Sequence, residues 1–213
     1  MKENRAPSPG RQERSYEPFA EVIESSLHGF LAQSWDSNTL PVFGSLMAIT
    51  TPERTLFGVV HQIQTGSMDP SRHPFAYQKT QEELRQEQPQ IFEFLKTTFA
   101  SLVIGHQNIQ GKISYLLAPE PAKIHTFVSP VNLEASKQFF ANTHYMHALF
   151  GLANNVFNLD EMLLAMLAHQ ATLGILSQAK LMDFTTTFSL LTGNDYRRLK
   201  LFLQRVEPLI QNT

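Results

Sequence analysis

The dominant period of this chain's hydrophobic pattern changes at Pro130, and that change limits the folds open to it. From Glu17 to about Val131 the apolar runs are short and bounded by Gly, Pro, Asn and Asp clusters, the punctuation of β structure. After Pro130 apolar residues recur at helical spacing over much longer stretches. The pattern predicts an α+β protein. A small closed or nearly closed β-barrel occupies 17–132, a helical bundle occupies 133–213, and residues 1–16 form a flexible tail.

Candidate strands are Ala20–Phe30, Val42–Ile49, Leu56–Ile63, Leu102–His106, Ile113–Leu117 and Ile124–Val128. The run Thr55-Leu56-Phe57-Gly58-Val59-Val60-His61 has the β-branched and aromatic content of a half-buried strand. Gly44 and Gly58 fall inside strand patterns, where glycine allows the bulges and bends that turn barrel corners. A helical insertion at about 78–99 interrupts the series. Thr80 and Glu83 have capping-box spacing, and Pro89 suits the first position of a second helix over Gln90–Thr98. Ile91, Phe92, Leu95 and Phe99 would give that helix one buried face, so the pair is expected to plug or cover a barrel opening.

The C-terminal helices are expected at Glu134–Phe150, Leu159–Ile175, Gln178–Leu191 and Asp195–Ile210. Asn158 with Glu161 resembles a capping box, and Gly193-Asn194-Asp195 reads as a helix stop followed by a new cap. The helix from Leu159 is apolar almost all round and belongs at the bundle's centre. Its most apolar stretch, Met162 to Ala168, is too short for a membrane span of about 20 residues. With 213 residues the chain can bury a core without covalent staples, and its sixteen Phe against one Trp point to aromatic packing in that core.

Composition removes several classes of chemistry. Cysteine is absent, which excludes disulfides, thiol nucleophiles and thiolate metal sites, and fits a reducing, cytoplasmic setting. A net charge of −2, from 17 basic and 19 acidic residues, gives no chain-wide footprint for nucleic acid. Gly105 to Lys112 looks like a phosphate loop but has five residues between the glycines and Ile113 where Ser or Thr must ligate Mg²⁺. It lies between two strands, so a hairpin turn at Asn108–Gly111 is the better reading. His144 and His147 sit three apart without an acidic neighbour, so no metal is expected there. His169 is expected as a hydrogen-bonded core histidine. Whether His61, His106 and His125 converge is left open by the sequence. No nucleophile elbow occurs, and the carboxylate pairs Glu82-Glu83 and Asp160-Glu161 both fall in helix first turns, where they complement the helix dipole. No catalytic residue and no cofactor is predicted.

One basic cluster stands out. Arg197, Arg198, Lys200 and Arg205 face only Asp195 along that stretch, with Tyr196 and Phe202 interleaved. These four are the candidate contact residues for an acidic partner or, weakly, for nucleic acid.

The segments Ala20-Glu21-Val22-Ile23-Glu24-Ser25-Ser26, Phe30-Leu31-Ala32-Gln33, Pro41-Val42-Phe43-Gly44-Ser45 and Phe57-Gly58-Val59-Val60 together resemble the HAS-barrel family. That barrel is shared by HerA-type ATPases and rotary ATP synthase subunits. With Glu82 to Phe92 and Pro119 to His125 added, the order resembles stand-alone HAS-barrel proteins of cyanobacterial type. The likeness covers about Phe19 to Val131. It implies a barrel that does not hydrolyse nucleotide, that serves as a collar in ring assembly and that docks partners. A helical bundle stands where the ATPases carry their motor. The expectation is a non-enzymatic docking or assembly module with a protein partner or a second copy. The alternative is a nucleic-acid-associated factor using the basic last helix.

Overall fold

The computed structural model describes residues 16–36, 39–69, 71 and 74–211. The expected flexible tail lies outside the described residues but for Tyr16. Seven strands form one antiparallel sheet: β1 (Ala20–Ser25), β2 (Gly29–Ser34), β3 (Leu46–Thr50), β4 (Arg54–Ser67), β5 (Leu95–Asn108), β6 (Ile113–Ser114) and β7 (Phe127–Pro130). Their order is β2-β1-β7-β3-β4-β5-β6, and a further β2–β5 ladder from Gly29↔Leu102 to Gln33↔Thr98 closes six of them into a barrel. The two-residue β6 hangs on the outside of β5. Closure gives every barrel strand a neighbour on both sides, while the arm formed by Gln62–Ser67 of β4 and Leu95–Thr97 of β5 is paired only within itself.

Alternation along the strands feeds two apolar clusters. Ala20, Val22, Phe30, Met47, Leu56, Val60, Phe99 and Val103 fill the barrel interior. The opposite faces of β3, β4 and β5 present Leu46, Ala48, Phe57, Val59, Leu102 and Ile104, and the C-terminal helices pack on these. Register shifts leave His61 in β4 and Ile104 in β5 as extra, bulged residues that bend the long hairpin around the barrel. Gly58 faces inward beside the second bulge, and a Cβ there would meet Phe30 Cε1 at 2.7 Å.

Several expected elements change shape. Ala20–Phe30 is not one strand but a hairpin, turned by Ser26–His28 with Ser26 N–H donating to Gly29 O at 2.8 Å. The strand expected from Val42 begins at Leu46, because Gly44 takes a left-handed φ of 78° in the preceding turn. The expected helix Gln90–Thr98 ends at Glu93, and Leu95 onward is strand β5. Helices α1 (Gln81–Glu87) and α2 (Gln90–Glu93) bury no residue, so the helical pair does not plug the barrel. Their capping box is formed, with Thr80 accepting from Glu83 N–H. The β6–β7 connection is what reaches the interior, through Ala118 and Ala122. The last two expected strands shorten to Ile113–Ser114 and Phe127–Pro130.

The expected helix Glu134–Phe150 is two helices, α3 (Leu133–Phe139) and α4 (Tyr145–Gly151), broken where Asn142 Oδ1 accepts from His144 N–H. Helices α5 (Leu159–Thr172), α6 (Gln178–Leu191) and α7 (Tyr196–Gln211) follow close to expectation. Asn158 accepts from the Asp160 and Glu161 N–H groups, and Asp195 Oδ1 from Arg198 N–H. Helix α5 buries Leu159, Met162, Leu163, Leu164, Met166 and Leu167, as befits the central helix. Aromatic rings join the layers. Phe139 packs on Phe57 of the barrel at 4.9 Å and on Tyr115 at 5.2 Å. Phe188 stacks on Phe202 at 4.5 Å, and Phe184 lies 5.8 Å from Phe202.

Candidate functional site

Helix α7 carries the four basic candidates, but the fold brings carboxylates to them that local sequence does not contain. Asp160 in the first turn of α5 takes two hydrogen bonds from Arg198, Nη2–Oδ1 at 2.6 Å and Nε–Oδ2 at 3.1 Å. Glu161 holds Arg205 through Nη1–Oε1 at 2.5 Å and Nη2–Oε2 at 2.9 Å. Arg198 also lies over the Phe188 ring, with Cζ 5.5 Å from its centroid. Hydrogen bonding by Arg205 holds the Glu161 carboxyl below its ordinary value, and Asp160 raises Arg198. Arg197 and Lys200 are exposed on the same helix. Asp195 therefore does not oppose the cluster alone: three carboxylates meet the four cations, and the face is close to neutral. Paired guanidinium groups with fixed geometry clamp α7 onto α5, a structural use of two of the four candidates.

Among the described residues the histidines do not assemble. Among the described residues no group of three His, Asp or Glu side chains could hold a metal ion. His61 is the bulged residue of β4, and burial pushes its pKa down. His106 Nδ1 lies 3.3 Å from Leu116 O, His125 pairs with Glu21, and His144 packs edge-on to Tyr115. His169 is not a core residue. It is half-buried on a groove wall, and the buried polar residue of α5 is its neighbour Gln170. The phosphate-loop lookalike is a strand end and hairpin turn, with Asn108 Oδ1 accepting from the Gln110 and Lys112 N–H groups. Among the described residues no helix is long and apolar enough to cross a membrane.

One concave feature was not anticipated. A groove of about 1060 Å³ runs between the barrel and α5. Its floor is Leu46, Met47 and Pro130; Ala165, Ala168 and Thr172 form the helical wall; Phe19, Leu40, Val42 and Phe43 form the other. Glu17 is the one carboxylate among its lining residues. The turn at Gly44 fixes its depth, since a Cβ there would sit 2.8 Å from the Ala165 backbone. Val42 and Leu40 remain 58% and 52% exposed. Beside the groove, Trp35 stands edge-on to Phe127 with ring centroids 5.1 Å apart, both more than half exposed. On the bundle, Phe157 is fully exposed just ahead of α5, and Leu201 of α7 is 55% exposed. Sequence reasoning placed Val42 and Phe43 in a strand and did not single them out as exposed. The signal available was Trp35, the single Trp, in a polar Ser-Trp-Asp-Ser stretch.

The chain matches no protein-family model and no curated protein.

Proposed function

We propose that this chain is a non-catalytic interaction module that docks on a larger protein assembly. One observation carries the reading: the folded chain keeps large apolar side chains in water on both halves, Trp35, Val42 and Phe127 on the barrel and Phe157 on the bundle. Of these, Trp35 and Phe127 pack against each other, and exposed apolar surface of this kind is what interaction sites use. The barrel face and the bundle face together suit a part that joins two neighbours. The resemblance to HAS barrels supports the same reading, with an ATPase ring as the assembly it suggests. The nucleic-acid reading draws less support, because Asp160 and Glu161 occupy two of the four basic side chains it needs.

The test is capture of the tagged protein from its native cells after mild crosslinking, with nuclease treatment and with Phe157→Ser as the control. The expected result is a protein partner that survives nuclease and is depleted by Phe157→Ser. A yield no different from an untagged control, or one that nuclease abolishes, would overturn the proposal.

A further inference from the structure

Four buried side-chain polar atoms make no hydrogen bond among the described residues: Ser25 Oγ, Arg54 Nη1, Ser101 Oγ and Gln170 Nε2. Folded proteins leave few such groups, so each one calls for a partner. Two of the four are hydroxyls, whose single proton can swing towards a nearby acceptor. Arg54 reaches Glu120 through its other terminal nitrogen, Nη2, 3.6 Å from Oε2. The amide of Gln170 has neither way out.

Gln170 sits on the central helix α5 and is only 3% exposed. Its side chain hydrogen-bonds that of Tyr145, which is buried as well. Because Nε2 has no partner, the amide oxygen is the acceptor in that bond and the Tyr145 hydroxyl the donor. This fixes the amide. Its two N–H groups need an acceptor elsewhere.

A cavity of about 10 Å³ lies beside it, lined by Gln170 and Tyr145, by Phe140 and Ala141, and by Lys180 and Asp183 of α6. Size selects the occupant. One water molecule needs about 10–15 Å³ of such space, so nothing larger enters. Chemistry selects it again. An occupant facing Nε2 has to accept a hydrogen bond, which no ammonium or metal cation does. Lys180 and Asp183 contribute one charge of each sign, so the walls do not favour an anion. Water accepts from the amide and can donate onward. Phe140 and Ala141 directly follow α3, at the end of a helix where carbonyls lack intrahelical partners.

We propose that this cavity is the binding site of a single long-lived water molecule, which accepts from Gln170 Nε2 and ties the end of α3 to the central helix. The site gives a buried amide a purpose in a helix whose other buried residues are all apolar. It is independent of the docking reading above.

Magnetic resonance on the ¹⁵N-labelled full chain in water tests it. The Gln170 side-chain N–H protons are expected to show cross-peaks to water, with the nuclear and rotating-frame Overhauser effects of opposite sign, the mark of a long-lived contact. Absence of these cross-peaks would overturn the proposal, as would effects of the same sign, which report only passing hydration. Oxygen-17 relaxation dispersion gives a second reading. Gln170→Met keeps the length of the side chain and removes the amide, and is expected to lose one long-lived water per chain. A folded variant whose count equals that of the wild type would overturn the assignment to Gln170. Should the variant not fold, the wild-type cross-peaks decide alone.

Discussion

Asp160 and Arg198 are 38 residues apart in sequence and are joined by two hydrogen bonds, at 2.6 and 3.1 Å, that fix α7 across the start of α5. The pair is partly sheltered, and Arg198 also lies over Phe188. Replacing Asp160 by Asn leaves the guanidinium without its counter-charge. The expected loss is about 1 kcal/mol, or ~3 °C in melting temperature, and it should shrink as salt is added. A melt series in low and high salt checks both statements. An Arg198→Lys variant should not restore the wild type, since a single ammonium cannot make the two-pronged contact.

The neighbouring pair gives a pH dependence. Hydrogen bonds from Arg205 hold the Glu161 carboxyl below its ordinary value of 4.5. The unfolded chain therefore binds this proton more readily than the folded one. The contribution to stability is complete above the ordinary value and is lost as pH falls through the lowered one. Glu161→Gln is expected to flatten the acid limb of a stability profile below about pH 4.5 and to lower the plateau above it. Denaturant titrations across that range read the difference directly.

Gly44 is expected to tolerate no side chain. Its φ of 78° is costly for any L-residue, and an added Cβ would lie 2.8 Å from Ala165 on α5. Gly44→Ala should cost more than about 2 kcal/mol, combining backbone strain with displacement of the helix. Denaturant titration of the variant beside the wild type measures the cost.

Phe188→Ala should rank among the most damaging core changes. The ring is fully buried, stacks on Phe184 and Phe202, and touches Phe150. The expected cost is about 3–5 kcal/mol, a fall of roughly 10 °C, measured by calorimetry.

Three carboxylates set among four cations leave α7 a poor surface for phosphates. Binding to a mixed-sequence oligonucleotide at physiological salt is expected to be weaker than about 10⁻⁴ M, the feeble end of non-specific binding. Fluorescence anisotropy with the wild type and an Arg197→Gln, Lys200→Gln double variant should give nearly the same flat curve. A tight, salt-sensitive isotherm lost in the double variant would restore the nucleic-acid reading.

The sequence makes the barrel-then-helices order legible, because the period of the apolar residues changes with the architecture. Helices α5, α6 and α7 are legible too, since Asn158, Ser177 and Asp195 cap them locally. What misleads is any segment whose pattern satisfies two periods. Leu95, Thr97 and Phe99 alternate as a strand while Ile91, Phe92, Leu95 and Phe99 also recur as a helix, and the ladders to β2 and β4 decide in favour of the strand. The hairpin at Ser26–His28 turns without Asn-Gly or Asp-Gly, the pairs that would announce it. The α7 cluster reads as a bare basic face because its carboxylates arrive from 38 and 44 residues away. The groove is invisible for the same reason, its two walls being built from Leu40–Phe43 and Ala165–Thr172.

Barrel closure also sets an order of events during synthesis. Strand β2 can be sealed only when Thr98–Leu102 of β5 has been made, more than sixty residues later. Until then a nascent chain carries the β1–β2 hairpin with both outer sides unpaired, since the β7 partner of β1 comes later still, in a ribosome that adds about 5–20 residues each second. The joining of Gly29 to Leu102 is thus a long-range, slow step. The barrel is complete only some twenty-five residues later still, when β7 fills the gap between β1 and β3.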